Sequence, residues 1–149
     1  MRAVVQRVKH ASVSVGGEVV GRVGPGYLVL VGSEEGDTEA DRKYVEDKLA
    51  GLRIFEDEAG KMNRSIEDVR GAILLVSQFT LLGDARHGRR PSFSRAARPE
   101  LAEPMLSELA GNLRARGIEV ETGRFGADME VGLLNDGPVT LLLDSRKGF

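Results

Sequence analysis

The chain has 149 residues, with no cysteine and only two histidines. The first absence excludes disulfides, thiolate zinc sites and cysteine nucleophiles together, and it fits a reducing compartment. The second leaves His10 and His87 as the only imidazole bases. Neither a P-loop nor a G-x-G-x-x-G phosphate loop is present, and there is no G-x-S-x-G nucleophile elbow. No apolar run approaches the ~20 residues that span a bilayer. The start, Met1-Arg2-Ala3-Val4-Val5-Gln6-Arg7, alternates like a strand and carries no signal-peptide apolar block. A cytoplasmic protein without a membrane partner is the expectation. Nor does charge of one sign dominate. The net charge is −2, so a polyanion would have to be met by a local basic patch. The acids Glu34, Glu35, Asp37 and Glu56, Asp57, Glu58 cluster in loop-like segments without metal-ligand spacing. No metal and no cofactor is expected.

What is present suits a strand-rich fold, beginning with nineteen glycines for tight turns. Residues 4–8 and 12–15 read as strands, and Gly16-Gly17 turns the chain into a return strand over 18–23. Residues 27–31 form a short apolar central strand. Thr38 with Asp41 resembles a capping box, and a helix follows to about Leu52. Its inward face is Tyr44, Val45, Leu49 and Leu52; Asp41, Lys43, Glu46 and Asp47 lie mostly outward. Residues 52–55 read as a strand, and 72–76 as a strand buried on both faces. A second helix covers 99–116, with Pro104 placed in its first turn so that the regular part begins there. Residues 118–122 alternate as a strand, 139–143 form the last buried strand, and 144–149 are a polar tail. The pattern predicts one α/β domain over residues 1–149, with sheet layers covered on one side by two main helices. Strand order does not follow from it.

Two stretches depart from ordinary patterning. The buried strand 72–76 ends in Ser77-Gln78-Phe79-Thr80-Leu81, a hydroxyl, an amide, a ring and a hydroxyl in succession. Such groups find partners either in neighbouring backbone or in a ligand. The second stretch, Asn135-Asp136-Gly137-Pro138-Val139-Thr140, places a Gly-Pro pair before a buried strand. Thr80 or Ser77 as a nucleophile needs a base, and neither His10 nor His87 stands in a triad pattern. Five arginines (Arg86, Arg89, Arg90, Arg95 and Arg98) fall within thirteen residues, beside His87 and against the single acid Asp84. That composition suits several phosphates, and equally an exposed loop with mixed hydrogen bonds.

The paired segments 77–81 and 135–140 resemble the signature of D-aminoacyl-tRNA deacylases, the D-tyrosyl-tRNA deacylase family. The resemblance extends from Met1-Arg2-Ala3-Val4-Val5-Gln6-Arg7-Val8 through Leu52-Arg53-Ile54-Phe55 and Arg89-Arg90-Pro91-Ser92-Phe93 to Gly123-Arg124-Phe125-Gly126-Ala127-Asp128-Met129. It implies a layered β/β/α fold and a homodimeric, metal-independent esterase that frees tRNA from D-amino acids, and from glycine. It implies oxyanion-stabilising N–H groups at Phe79 and Thr80, and the Thr80 hydroxyl beside the scissile carbonyl. Ser77 and Gln78 would position adenosine and ester, and the tRNA 2′-hydroxyl would take part. Phe125 and Met129 would wall the pocket, although Met129 fits a core role as well. Gly137 and Pro138, joined by a cis bond, would reach into the partner subunit's pocket and block L side chains. Arg7 would brace that pair, against the alternative of a surface strand arginine. Arg86, Arg89 and Arg90 would contact tRNA. One departure is His87, where the family pattern has lysine. Two other classes remain open: a non-catalytic tRNA-binding or editing module, and a Thr80-nucleophile hydrolase of small esters.

Overall fold

The period-two alternation of the strands sets the layers of the structure, a computed structural model that describes residues 1–149. In β3 (Gly26–Gly32) and β6 (Ala72–Ser77), Tyr27, Val29, Val31, Ile73 and Leu75 point to one face. There they pack with Val45 and Leu49 of α1 (Glu39–Gly51) and Leu109 and Leu113 of α2 (Pro99–Ala115). Leu28, Leu74 and Val76 point the other way, into a smaller core. β3 and β6 pair in parallel, as do β6 and β7 (Glu119–Thr122). β1 (Arg2–Val15) runs antiparallel to β3, to β2 (Glu18–Val23) and to β8 (Glu130–Asp144). The order is β2-β1-β3-β6-β7, with β8 also on β1. This is an α/β fold of layered strands with two main helices.

β1 is one strand where the sequence predicts two. Its register against β8 slips on both sides of Val8. The slip turns the odd-numbered positions from one core to the other. Ala3 and Val5 join the helix-side core, while Ala11 and Val13 join the smaller one. The far half of β1, with β2 and the start of β8, thereby closes over the face that the helices leave open, where Val20, Val23 and Val131 pack.

Other expectations need correction. The strand predicted over 52–55 begins only at Phe55; β4 (Phe55–Glu56) pairs with β5 (Met62–Arg64). α2 is already regular at Pro99, and Pro104 lies inside it on an exposed face. Glu46, predicted outward, is buried because Arg116 reaches it at 3.0 Å from the end of α2. β8 runs unbroken for 15 residues and is mostly exposed, only Val139, Leu143 and Asp144 being buried. Asp144 therefore belongs to a strand, not to a polar tail. The capping box holds, with Thr38 N–H donating to Asp41 Oδ2 at 2.9 Å.

Candidate active site

Six residues of β6 carry the chain through the core, and the polar segment begins where the strand emerges. Gln78 N–H donates to Val31 O at 2.7 Å, fixing the exit against β3. Phe79–Leu82 then forms a 3-10 turn whose first bond is Leu81 N–H to Gln78 O, 3.2 Å. The N–H groups of Phe79 and Thr80 precede that bond and have no acceptor within the turn. Gln78 Nε2 donates to Thr80 Oγ1 at 3.0 Å, which orients the hydroxyl. Across from the turn, Ala97 N–H donates to Ser33 O at 2.9 Å, holding Ala96 and Ala97 as a wall. The connection between β7 and β8 closes the third side with Phe125, Asp128 and Met129.

These segments enclose a cavity of about 500 Å³, within the range of small-ligand sites. Ser77, Gln78, Phe79, Thr80, Phe125 and Met129 all line it. Met129 also packs on the smaller core, so its side chain borders both. Neither histidine lines the cavity. His10 borders a separate depression with Ser12, Arg22 and Glu119. Asp128 is the one ionisable side chain in the lining. Sequence reasoning passed over Asp128, Ser33, Ala96 and Ala97. The last three are small residues whose importance comes only from where the chain brings them, and no local signal marks them. No group of three or more His, Cys, Asp or Glu side chains is gathered to hold a metal.

Gly137, Pro138, Arg7, Arg86, Arg89 and Arg90 do not line this cavity. Arg7 is not a surface arginine: it is 5% exposed. Its Nη1 donates to Ile54 O at 2.7 Å, its Nε to Asp136 O at 3.3 Å, and Nε lies 3.4 Å from the Asp136 carboxylate. Asn135 Nδ2 donates back to Arg7 O at 2.9 Å and to Val139 O at 3.1 Å. Asn135 and Asp136 are thus tied to β1, and Asn135 closes the segment on itself at Val139. The Gly137–Pro138 peptide is cis, and both residues are exposed. Gly137 has φ 127°, and a Cβ there would lie 2.8 Å from Val139 Cγ2, so only glycine fits. Beside Arg7, burial raises the Tyr27 phenol well above its usual range, with the Arg7 charge opposing, so the phenol is neutral.

The arginine-rich segment is pinched shut where Asp84 and Ser92 exchange backbone hydrogen bonds of 2.7 and 2.9 Å. Arg86 makes a bidentate pair with Asp84, Nε to Oδ1 at 2.9 Å and Nη2 to Oδ2 at 2.7 Å. Those bonds, with the Arg86 backbone N–H, hold the Asp84 carboxyl well below the usual carboxylate range. Arg95 pairs with the buried Glu34 at 3.2 Å. Arg89 and Arg90 are exposed and form no ion pair, so their charge is free for an anion.

The sequence profile of the family described as D-Tyr-tRNA(Tyr) deacylase matches residues 4–144. A protein of Symbiobacterium thermophilum named D-aminoacyl-tRNA deacylase is 63% identical over 149 residues, covering 100% of this chain and 99% of its own. One of Desulfitobacterium hafniense with the same name is 61% identical, with both chains covered completely. A solved structure titled c-Myc DNA unwinding element binding protein superposes with TM-score 0.91 at 43% identity, covering 97% of this chain and 98% of that one. Another, titled as a probable eukaryotic D-amino acid tRNA deacylase, reaches TM-score 0.80 at 19% identity over 96% of this chain and 98% of that one, a likeness of fold. With a family profile spanning nearly its whole length and full-length relatives above 60% identity, the chain belongs to the D-aminoacyl-tRNA deacylase family.

Proposed function

We propose that this protein hydrolyses the ester between a D-amino acid and the terminal adenosine of tRNA, in the cavity between Ser77–Thr80 and Phe125–Met129. The observation that carries this is convergence. Segments far apart in sequence, 77–80, 96–97 and 125–129, meet in one cavity in a chain of this family. Ser77 and Gln78 hold adenosine and ester, with Phe125 and Met129 as the apolar wall. Water adds to the ester carbonyl carbon, and the carbonyl oxygen becomes the oxyanion. The Phe79 and Thr80 N–H groups receive it; one such donor is worth ~2.7–4 kcal/mol. The C–O bond to ribose then breaks. The water proton reaches the departing ribose oxygen through the vicinal 2′-hydroxyl, and free tRNA and amino acid leave.

Thr80 positions the ester and does not attack it. Its hydroxyl accepts from Gln78, and no imidazole or carboxylate bonds it, so nothing activates it as a nucleophile. Stereoselectivity comes from rejection of L. Gly137 and Pro138 are exposed and lie outside the chain's own cavity. The outer edge of β8 pairs with no strand, and Leu133, Leu134 and Leu142 on β8 are exposed. These features support a homodimer in which the rigid pair enters the partner's cavity and blocks the direction an L side chain takes. A D side chain points elsewhere, and glycyl esters pass. Exclusion by about a thousandfold requires only ~4 kcal/mol. Arg89 and Arg90, with a lesser share from Arg86, hold the tRNA backbone. No helix is long and apolar enough to cross a membrane, and a tRNA substrate puts the enzyme in the cytoplasm.

The test is incubation of the protein with D-tyrosyl-, L-tyrosyl- and glycyl-tRNA. The expected result is rapid release from the D and glycyl esters with the L ester spared. No turnover on any of the three would identify a binding module instead. An acyl adduct on Thr80 would identify a nucleophilic hydrolase.

A further inference from the structure

Phe79, in the cavity lining, and Phe93 beside it are both exposed aromatic side chains. Phe79 is 56% exposed and Phe93 38% exposed. Their ring centroids are 5.3 Å apart at an interplanar angle of 72°, an edge-to-face pair. Phe79 lines the cavity and Phe93 does not, so the pair extends outward from the pocket rim. The chain makes room for this arrangement. A Cβ at Gly83 would lie 2.9 Å from Phe93 Cε1, so any larger residue there displaces the ring. Phe93 follows Ser92, the closing residue of the pinched segment that presents the unpaired Arg89 and Arg90.

An exposed aromatic ring beside free arginines has one well-defined complement, an unpaired nucleotide. The ring face takes the base whatever its identity, and the guanidinium groups take the phosphates. An apolar protein partner would leave the arginine charge unanswered, and a bare anion would leave the rings exposed. We propose that the Phe79–Phe93 pair is a stacking platform for the nucleotide immediately before the terminal adenosine, with Arg89 and Arg90 on the adjoining phosphates. This rests on the reading of the cavity as the terminal-adenosine site. Binding energy gained one nucleotide away from the reacting ester orients the ester itself, and a substrate lacking that nucleotide loses the benefit.

The experiment compares kcat/KM for D-tyrosyl-adenosine and D-tyrosyl-CpCpA, which share the reacting ester and differ only in the preceding nucleotides. The wild-type protein favours the trinucleotide. In Phe93→Leu the ratio of trinucleotide to adenosine falls about tenfold, and in Phe93→Trp it is kept, since the ring face remains. A trinucleotide ester with abasic residues in place of both cytidines reads the same contact in the unaltered protein, whatever the stability of Phe93→Leu, and its ratio falls by a similar factor. An unchanged ratio in Phe93→Leu and with the abasic ester overturns the proposal. So does an equal loss on both substrates, which would make Phe93 a mere prop for Phe79. Failure to hydrolyse either ester overturns instead the reading of the cavity itself.

Discussion

Replacing Arg7 by methionine keeps most of the buried stem and deletes the head group that joins β1, the 52–56 segment and the Gly137–Pro138 bend. Two contributions are lost. The charged hydrogen bond to Ile54 O at 2.7 Å is buried, and such bonds contribute ~1.5–3 kcal/mol. The Asp136 contact is longer, and its carboxylate side chain is 36% exposed, so solvent screens it to ~0.2–1 kcal/mol. Together they give a loss of roughly 2–4 kcal/mol. At ~2–4 °C per kcal/mol for a chain of this size, Tm falls by roughly 4–16 °C. Arg7→Lys recovers part of this, because an ammonium reaches one carbonyl but not two groups in a fork. Thermal unfolding measures the stability; release from L-tyrosyl-tRNA measures the second consequence. A bend no longer braced through Asp136 rejects L less well, so selectivity falls while hydrolysis of the D ester continues in the molecules that stay folded. A methionine variant with wild-type Tm and undiminished rejection of L would refute the brace.

Replacing Arg89 and Arg90 together by alanine removes two free cations, so the slope of log Kd for tRNA against log salt should drop by about 1.4, at ~0.7 per single-strand phosphate; an unchanged slope would place them away from the backbone. Arg86→Ala should change that slope less, because Arg86 is already held by Asp84. Thr80→Ala should lower the rate on D-tyrosyl-tRNA and Thr80→Ser should lower it less, with no acyl-enzyme at any time in rapid-quench mass spectrometry; an adduct would show attack by the hydroxyl. The folded-state carboxyl of Asp84 is depressed by Arg86, so its stabilising contribution is full above the ordinary carboxylate pKa of ~3.9 and is lost as pH falls through the folded value. Carboxyl NMR titration should show Asp84 moving up toward the ordinary range in Arg86→Ala, short of it because the backbone N–H of residue 86 still donates to the carboxylate, and no movement would mean that the Arg86 side chain is not the cause.

The sequence made the pocket's floor legible because its signal is local. A strand of five apolar residues that ends in Ser77, Gln78, Phe79 and Thr80 breaks the rule that its own composition sets. Gly137-Pro138 is local in the same way. The brace from Arg7 to the Gly137–Pro138 bend entered only through the family resemblance, and its bond to the Ile54 carbonyl, 47 residues away, had no local signal. Glu46 was misplaced for the same reason, its partner Arg116 being 70 residues on. On β8, Leu133, Leu134 and Leu142 look like core because they are apolar; which strand edge stays unpaired is a matter of topology that periodicity does not carry. Arg86 is different. Asp84, two residues away, was in plain view, but counting one acid against five arginines concealed that the acid is committed to one of them.

The claim that this cavity takes a D-aminoacyl adenosine and refuses its mirror image is open to direct observation. The probes are stable 3′-amide analogues, D-tyrosyl-, L-tyrosyl- and glycyl-3′-amino-3′-deoxyadenosine, titrated into the nitrogen-labelled protein. The account predicts that the D and glycyl analogues shift the backbone amide signals of Phe79 and Thr80, with further changes at Phe125 and Met129, and that the L analogue shifts none of them. Equal shifts from D and L, or changes confined to the depression at His10, Ser12 and Arg22, would contradict it.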